Sequence, residues 1–183
     1  MPDIELLSSD EWPKLRDTRL SALRDSPDAF LSTLAREEAF TEAMWRAEFI
    51  RGEWNVGFDA GQPVSLIGIT REPDMPMDQC YLGYLWVAPR FRRQGTAFRM
   101  VGKVLGRLQK SGVRTVFLWV LDGNDSAMRL YQRIGFISSN YRQPLPGQPG
   151  RSEERMQLDL SQWQSRNGAH PVAPARQDGL PGS

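Results

Sequence analysis

Apolar positions along the chain follow two rhythms, one of period two and one near three and a half, and the switches between them mark the elements. Residues 4–7 read as a short strand. Ser9 or Asp10 then caps a helix carrying Trp12, Leu15, Ala22 and Leu23, which ends at Pro27. Residues 28–39 lack a clear period, and a second helix is predicted over 41–50, where Trp45 and Phe49 stand four apart. Trp54, Val56 and Phe58 alternate with other residues, 59–62 make a turn, and 64–69 are rich in β-formers, so this stretch is a hairpin.

After a loop over 71–79, residues 80–87 form a strand and residues 96–110 a helix. That helix has Ala97, Val101, Val104, Leu105 and Leu108 on one side and Arg99, Lys103 and Arg107 on the other. Gly102 and Gly106 each cost it about 1 kcal/mol relative to Ala, which suggests a close neighbour. Residues 115–121 are almost unbrokenly apolar, the pattern of a strand covered on both faces. Strand, helix and strand across 80–121 make a βαβ crossover, so the two strands are parallel. A short helix with Ala127, Leu130, Tyr131 and Ile134 on one face stops at Gly135. Two last strands, 136–140 and 153–160, flank a Pro-rich connection over 142–150. Residues 1–163 therefore form one domain, and the polar, Gly/Pro-rich stretch 164–183 is expected to be a disordered tail.

Composition narrows the chemistry. With 183 residues, 40% apolar and 25% charged, the chain has the balance of an ordinary globular protein. A formal net charge of +1 gives no global pull on nucleic acid, so any attraction for anions is local, and the densest basic cluster is Arg90, Arg92 and Arg93. The single Cys80 sits in an apolar strand and reads as an inert core thiol. His170, the only histidine, lies in the tail, which excludes a Ser/His or Cys/His pair within the domain and leaves no metal site of zinc-ligand spacing. No signal peptide or membrane-length apolar run is evident, and a cytoplasmic location is expected.

The basic cluster occupies a loop between a strand and a helix, where unpaired amides and the helix dipole favour phosphate. Within it, Arg92, Gly95 and Ala97 fit Arg/Gln-x-x-Gly-x-Gly/Ala, which resembles the pyrophosphate-binding signature of the GNAT N-acetyltransferases. Downstream, Asn124, Ala127, Leu130, Tyr131, Gly135 and Phe136 fit Asn-x-x-Ala-x-x-Leu-Tyr-x-x-x-Gly-Phe, which is similar to that superfamily's second signature. The resemblance covers residues 80–136 densely and implies an α/β (α+β) fold. Its sheet would be mixed and mostly antiparallel, with about six or seven strands, flanking helices and a splayed parallel pair.

It also implies acetyl-CoA as acyl donor, with no metal. The pantetheine arm would lie between the splayed strands against backbone groups of Leu85 and Val87. The pyrophosphate would meet Arg92, Arg93, Gln94, Gly95, Thr96, Ala97 and Phe98. Asn124 would contact the cofactor as well as cap its helix, and Tyr131 would protonate the departing thiolate. The acceptor would be the primary amine of a small molecule or peptide, the enzyme a monomer or homodimer. Two alternatives stand beside this: a non-catalytic acyl-CoA sensor, and the same fold using a longer acyl chain.

An attacking amine must be neutral, and a lysine-like amine of pKa about 10.4 needs more help than an α-amine near 8. Without histidine, the candidate bases are Glu37, Glu38, Glu72 and Asp74, or a water relay. Acceptor specificity is expected from residues 30–49, the loop 71–79 and the stretch 142–150, with Trp45, Tyr84 and Trp119 as candidate pocket residues.

Overall fold

The computed structural model describes residues 2–145 and 148–164. The expected tail beyond Gln164, with His170, lies outside them. Seven strands form one sheet in the order β1-β2-β3-β4-β5-β7-β6, and every adjacent pair except β4–β5 is antiparallel. They are β1 (Asp3–Leu6), β2 (Gly52–Asp59), β3 (Gln62–Thr70), β4 (Gln79–Val87), β5 (Thr115–Leu121), β6 (Ile137–Pro144) and β7 (Ser152–Asp159). The helices are α1 (Trp12–Asp25), α2 (Leu34–Glu38), α3 (Glu42–Arg51), α4 (Thr96–Lys110) and α5 (Asp125–Ile134). This is the mixed, mostly antiparallel architecture expected, with β4, α4 and β5 as the βαβ unit.

The alternation of each strand divides the interior in two. Ile67, Ile69, Cys80, Leu82, Leu118 and Val120 pack with the buried stripe of α4, Met100, Val101, Val104, Leu105 and Leu108. On the opposite face Trp54, Val56, Leu66 and Trp86 pack with Leu15, Leu20 and Trp45 of α1 and α3. Burial at about 25 cal/mol per Å² makes each cluster a main source of stability.

Several local expectations change. The chain enters α1 through a 3₁₀ turn, Ser9–Glu11, and the cap is Ser8, whose N–H donates to Glu11 Oε2 at 2.9 Å. Residues 34–38, expected to be irregular, form α2 because Thr33 Oγ1 accepts from the Arg36 N–H ahead of a run of good helix formers. A Cβ at Gly102 or Gly106 would meet nothing within 4 Å, so no close neighbour explains them. Strand β5 is buried on one face only; on the other Thr115, Phe117, Trp119 and Leu121 are half-buried, and Trp119 lines a cavity. Strand β6 runs on to Pro144, a proline tolerated because β6 is the edge of the sheet.

Candidate active site

Strands β4 and β5 pair only from Gln79 opposite Thr115 to Tyr81 opposite Phe117, and beyond that they part. On its other side β4 bulges. Gly83 stands opposite Gly68 and Trp86 opposite Leu66, so Tyr84 and Leu85 share the one position facing Ile67. Tyr84 takes a left-handed backbone, φ 58°, which for a bulky residue costs on the order of 1–3 kcal/mol. Its ring is held by Trp54 at 4.8 Å between centroids and by the Arg19 guanidinium 5.0 Å away. Gly68 makes the room, since a Cβ there would come within 2.7 Å of Tyr84 and 2.9 Å of Trp54. The result is a gap in which the β5-facing edge of β4, including Leu85 and Val87, has no strand partner.

At the end of that gap a 3₁₀ turn, Pro89–Phe91, leads through Arg93 (φ 58°) and Gly95 (φ 75°) into α4. Among the described residues, the N–H groups of residues 93–98 have no backbone partner. Left-handed residues at 93 and 95 curl these amides into a concavity at the positive end of a 15-residue helix, a shape that accepts oxyanions. A Cβ on Gly95 would lie 3.0 Å from Arg99 Nη1, which in turn donates to the Gln94 carbonyl at 2.9 Å. Gln94 Nε2 donates to the Arg90 carbonyl at 2.7 Å, so its side chain braces the loop.

Arg92 does something other than offer free charge. Its Nε donates to the Val87 carbonyl at 2.8 Å, and its Nη2 pairs with Asp25 at the end of α1. Asp25 also accepts from Trp86 Nε1 at 2.8 Å. Burial opposes that carboxyl's charge, but Trp86, Ser26 and Arg92 together hold its pKa below the ordinary range. The loop is thereby fastened to both β4 and α1.

Asn124 caps α5, its Oδ1 accepting from the Ala127 N–H at 3.2 Å. Tyr131, 6% exposed, lies in the cluster that holds Leu118 and Val120, with its ring edge-on to Phe136 at 5.6 Å. Burial pushes its phenol well above the usual value, so it keeps its proton through neutral pH. Cys80 is fully buried and burial pushes its thiol up to about 11, which fits an inert core role.

On the opposite face of the sheet lies a cavity of about 500 Å³. Trp45, Tyr84 and Trp119 all line it, with Phe30 and Phe40 from the first half and Arg71 and Glu72 from the loop before β4. The described part of 142–150 contributes nothing, contrary to expectation, because β6 lies at the far edge of the sheet. Among the candidate bases, Glu37 is buried and locked to Arg19, with contacts of 2.8 to 3.2 Å. Glu38 is exposed, pairs with Arg24 and lies outside the lining, as does Asp74; Glu72 is exposed at the rim.

The sequence reading missed Glu48 and Arg19, which both line the cavity. Burial raises the pKa of Glu48 above the ordinary carboxylate range, with Arg51, 3.4 Å away, only partly opposing it. Arg19 stands four residues after Leu15, on the apolar side of α1, and a charge at such a position is the signal that could have found it. Glu48 leaves no comparable mark.

The sheet is mixed, and its one parallel pair opens beside a helix end of unpaired amides. This chain belongs to the acetyltransferase (GNAT) family, whose model matches residues 12–136. A curated relative, the [ribosomal protein bS18]-alanine N-acetyltransferase of Haemophilus ducreyi, is 35% identical over 74 residues, covering 38% of this chain and 50% of that protein. L-2,4-diaminobutyric acid acetyltransferase of Vibrio parahaemolyticus is 29% identical over 83 residues, 45% of each chain. The chain thus spans about half the length of these curated relatives. Among solved structures, the ribosomal-protein-S18-alanine N-acetyltransferase from Escherichia coli superposes with a TM-score of 0.66 at 17% identity, over 93% of this chain and 99% of that one. PaiA N-acetyltransferase from Thermoplasma acidophilum, in complex with coenzyme A, gives 0.65 at 13% identity over 87% and 99%. At these identities the structural likeness speaks for the fold.

Among the described residues no group of three or more His, Cys, Asp or Glu could hold a metal ion, and no helix is long and apolar enough to cross a membrane.

Proposed function

We propose that this chain transfers the acetyl group of acetyl-CoA to a primary amine by direct attack in a ternary complex. The observation that carries the reading is the β4–β5 gap, with unpaired amides at its end, Tyr131 on one face of the sheet and the aromatic cavity on the other. Those amides and the left-handed Gly95 fit a diphosphate, and a Cβ at Gly95 would be strained at φ 75° and press on Arg99 Nη1. The named substrates of the two curated relatives, a ribosomal-protein alanine and diaminobutyric acid, both offer amines, which supports an amine acceptor.

The residues then have separate tasks. Glu48 accepts a proton from the incoming ammonium, directly or through water, its raised pKa bringing it nearer the working pH. The amine nitrogen bonds to the thioester carbon, free N–H groups of bulged β4 polarise the carbonyl, the carbon–sulfur bond breaks, and the nitrogen sheds its extra proton to water, from which Tyr131 is later reprotonated. Tyr131 gives its proton to the leaving thiolate. Burial keeps that phenol protonated while making it a weaker acid, so its contribution rests on position, and a positioned acid contributes about 10² to 10⁴ in rate.

A screen of thiol release from acetyl-CoA across aminoglycosides, polyamines, amino acids and peptides tests the reading. Release with at least one amine supports it. Saturable CoA binding without release from any amine would instead make the chain a sensor, and greater thermal stabilisation by longer acyl-CoAs would change the donor.

A further inference from the structure

Three buried polar groups on residues that line the cavity lack a hydrogen-bond partner among the described residues, and all three are donors: Arg19 Nη1, Trp45 Nε1 and Arg71 Nε. Arg19 is 4% exposed, with its guanidinium 4.4 Å from the Phe30 ring centroid and 5.0 Å from that of Tyr84. Nε and Nη2 both donate to the Glu37 carboxylate, which fixes the plane of the fork and neutralises the pair. Nη1, the nitrogen that makes no contact with Glu37, is left over. Trp45 is 2% exposed and packed against Phe40 at 5.3 Å, with its indole N–H equally unanswered.

Buried donors are almost always satisfied, and of the three buried indoles only that of Trp45 is not, although Asn55 Nδ2 and Arg107 Nη2, outside the cavity, also lack partners among the described residues. Trp54 Nε1 donates to the Glu48 carbonyl at 3.1 Å and Trp86 Nε1 to Asp25 at 2.8 Å. Unpaired donors on residues that line one cavity call for an oxygen acceptor brought by the ligand. The lining's four arginines and four glutamates suit a zwitterion better than a polycation.

Resting on the reading of an amine acceptor, we infer that these donors anchor a carboxylate or carbonyl oxygen of that acceptor. The substrate is therefore an amino acid or the amino-terminal residue of a peptide, and Arg19 and Trp45 are specificity-determining residues. Plain alkylamines and polyamines leave the donors unpaired and are rejected, as happens wherever a site built for a hydrogen bond meets a ligand lacking it.

The test titrates matched ligands into the CoA-loaded full chain by calorimetry and follows thiol release with acetyl-CoA in parallel. Each set contains an amino acid, its amide, a dipeptide beginning with it and the amine left on decarboxylation. The oxygen-bearing members should bind at least about 100-fold better than the decarboxylated amine. Loss of affinity on amidation would identify a free carboxylate, and retention in amide and dipeptide a carbonyl. Trp45→Phe removes one N–H and keeps the aromatic packing, and should shrink the preference about three- to tenfold; Arg19→Lys is the second variant, read only if its melting curve remains cooperative. Equal binding of decarboxylated amines, no binding by any oxygen-bearing member, or an unchanged preference in Trp45→Phe would overturn the inference. Selective binding without thiol release would uphold the anchoring donors while sinking acetyl transfer.

Discussion

The two faces of the sheet are built by different means. On the α4–α5 face, the features we propose for the cofactor are mostly backbone: amides of residues 93–98, a left-handed glycine, a helix cap and the open edge of β4. On the α1–α3 face, the cavity is made from side chains that come from distant parts of the chain, Arg19, Glu37, Trp45 and Glu48 from three helices and Tyr84 from a bulge. A backbone device constrains local sequence, because only certain residues take a left-handed turn or cap a helix. A side-chain wall can be assembled in many ways and leaves little local trace. Asp25 and Arg92 join the two, tying the last turn of α1 to the loop before α4.

Gly95→Asp should separate the faces most sharply. It puts a charged side chain beside the amide concavity, and acetyl-CoA affinity is expected to fall at least about 100-fold by calorimetry. The left-handed backbone strains the replacement by about 1 kcal/mol, so the melting temperature should drop by no more than about 2–4 °C. Unchanged affinity would remove the diphosphate from this loop.

Tyr131→Phe should lower kcat about 10²- to 10⁴-fold while leaving the dissociation constant for acetyl-CoA within about twofold. Full turnover would place the proton donor elsewhere. The smallest of the three effects belongs to the acceptor face. Glu48 has a raised pKa, so it is protonated at pH values where an ordinary carboxyl is ionised, and kcat/KM should climb as pH rises through that shifted value. Glu48→Gln should lose this acidic limb and run about tenfold slower on its plateau. An unaltered pH profile would dismiss Glu48 as the proton acceptor.

How far the sequence could be read follows the same division. Apart from α2, the order of strands and helices, the parallel pair and the loop before α4 were legible because apolar spacing, Pro27, Gly95, Asn124 and Gly135 each mark a boundary or turn that few residues tolerate. Trp45, Tyr84 and Trp119 were legible as large aromatics outside the signatures. Their partners were not. Glu37 reads as one of two adjacent surface acids until α2 folds, capped by Thr33, and delivers it to Arg19. The bulge at Tyr84 depends on Gly68, a residue of the neighbouring strand that only pairing brings opposite Gly83. Arg92 fits its signature, yet its side chain reaches Asp25, 67 positions away.

A crystal structure of the full chain grown with coenzyme A tests the central claim most directly. The account predicts the diphosphate against the N–H groups of residues 93–98, the pantetheine between β4 and β5 beside Leu85 and Val87, and the thiol within reach of the Tyr131 hydroxyl. A cofactor found in the α1–α3 cavity instead, with the β4–β5 gap closed by protein, would contradict it.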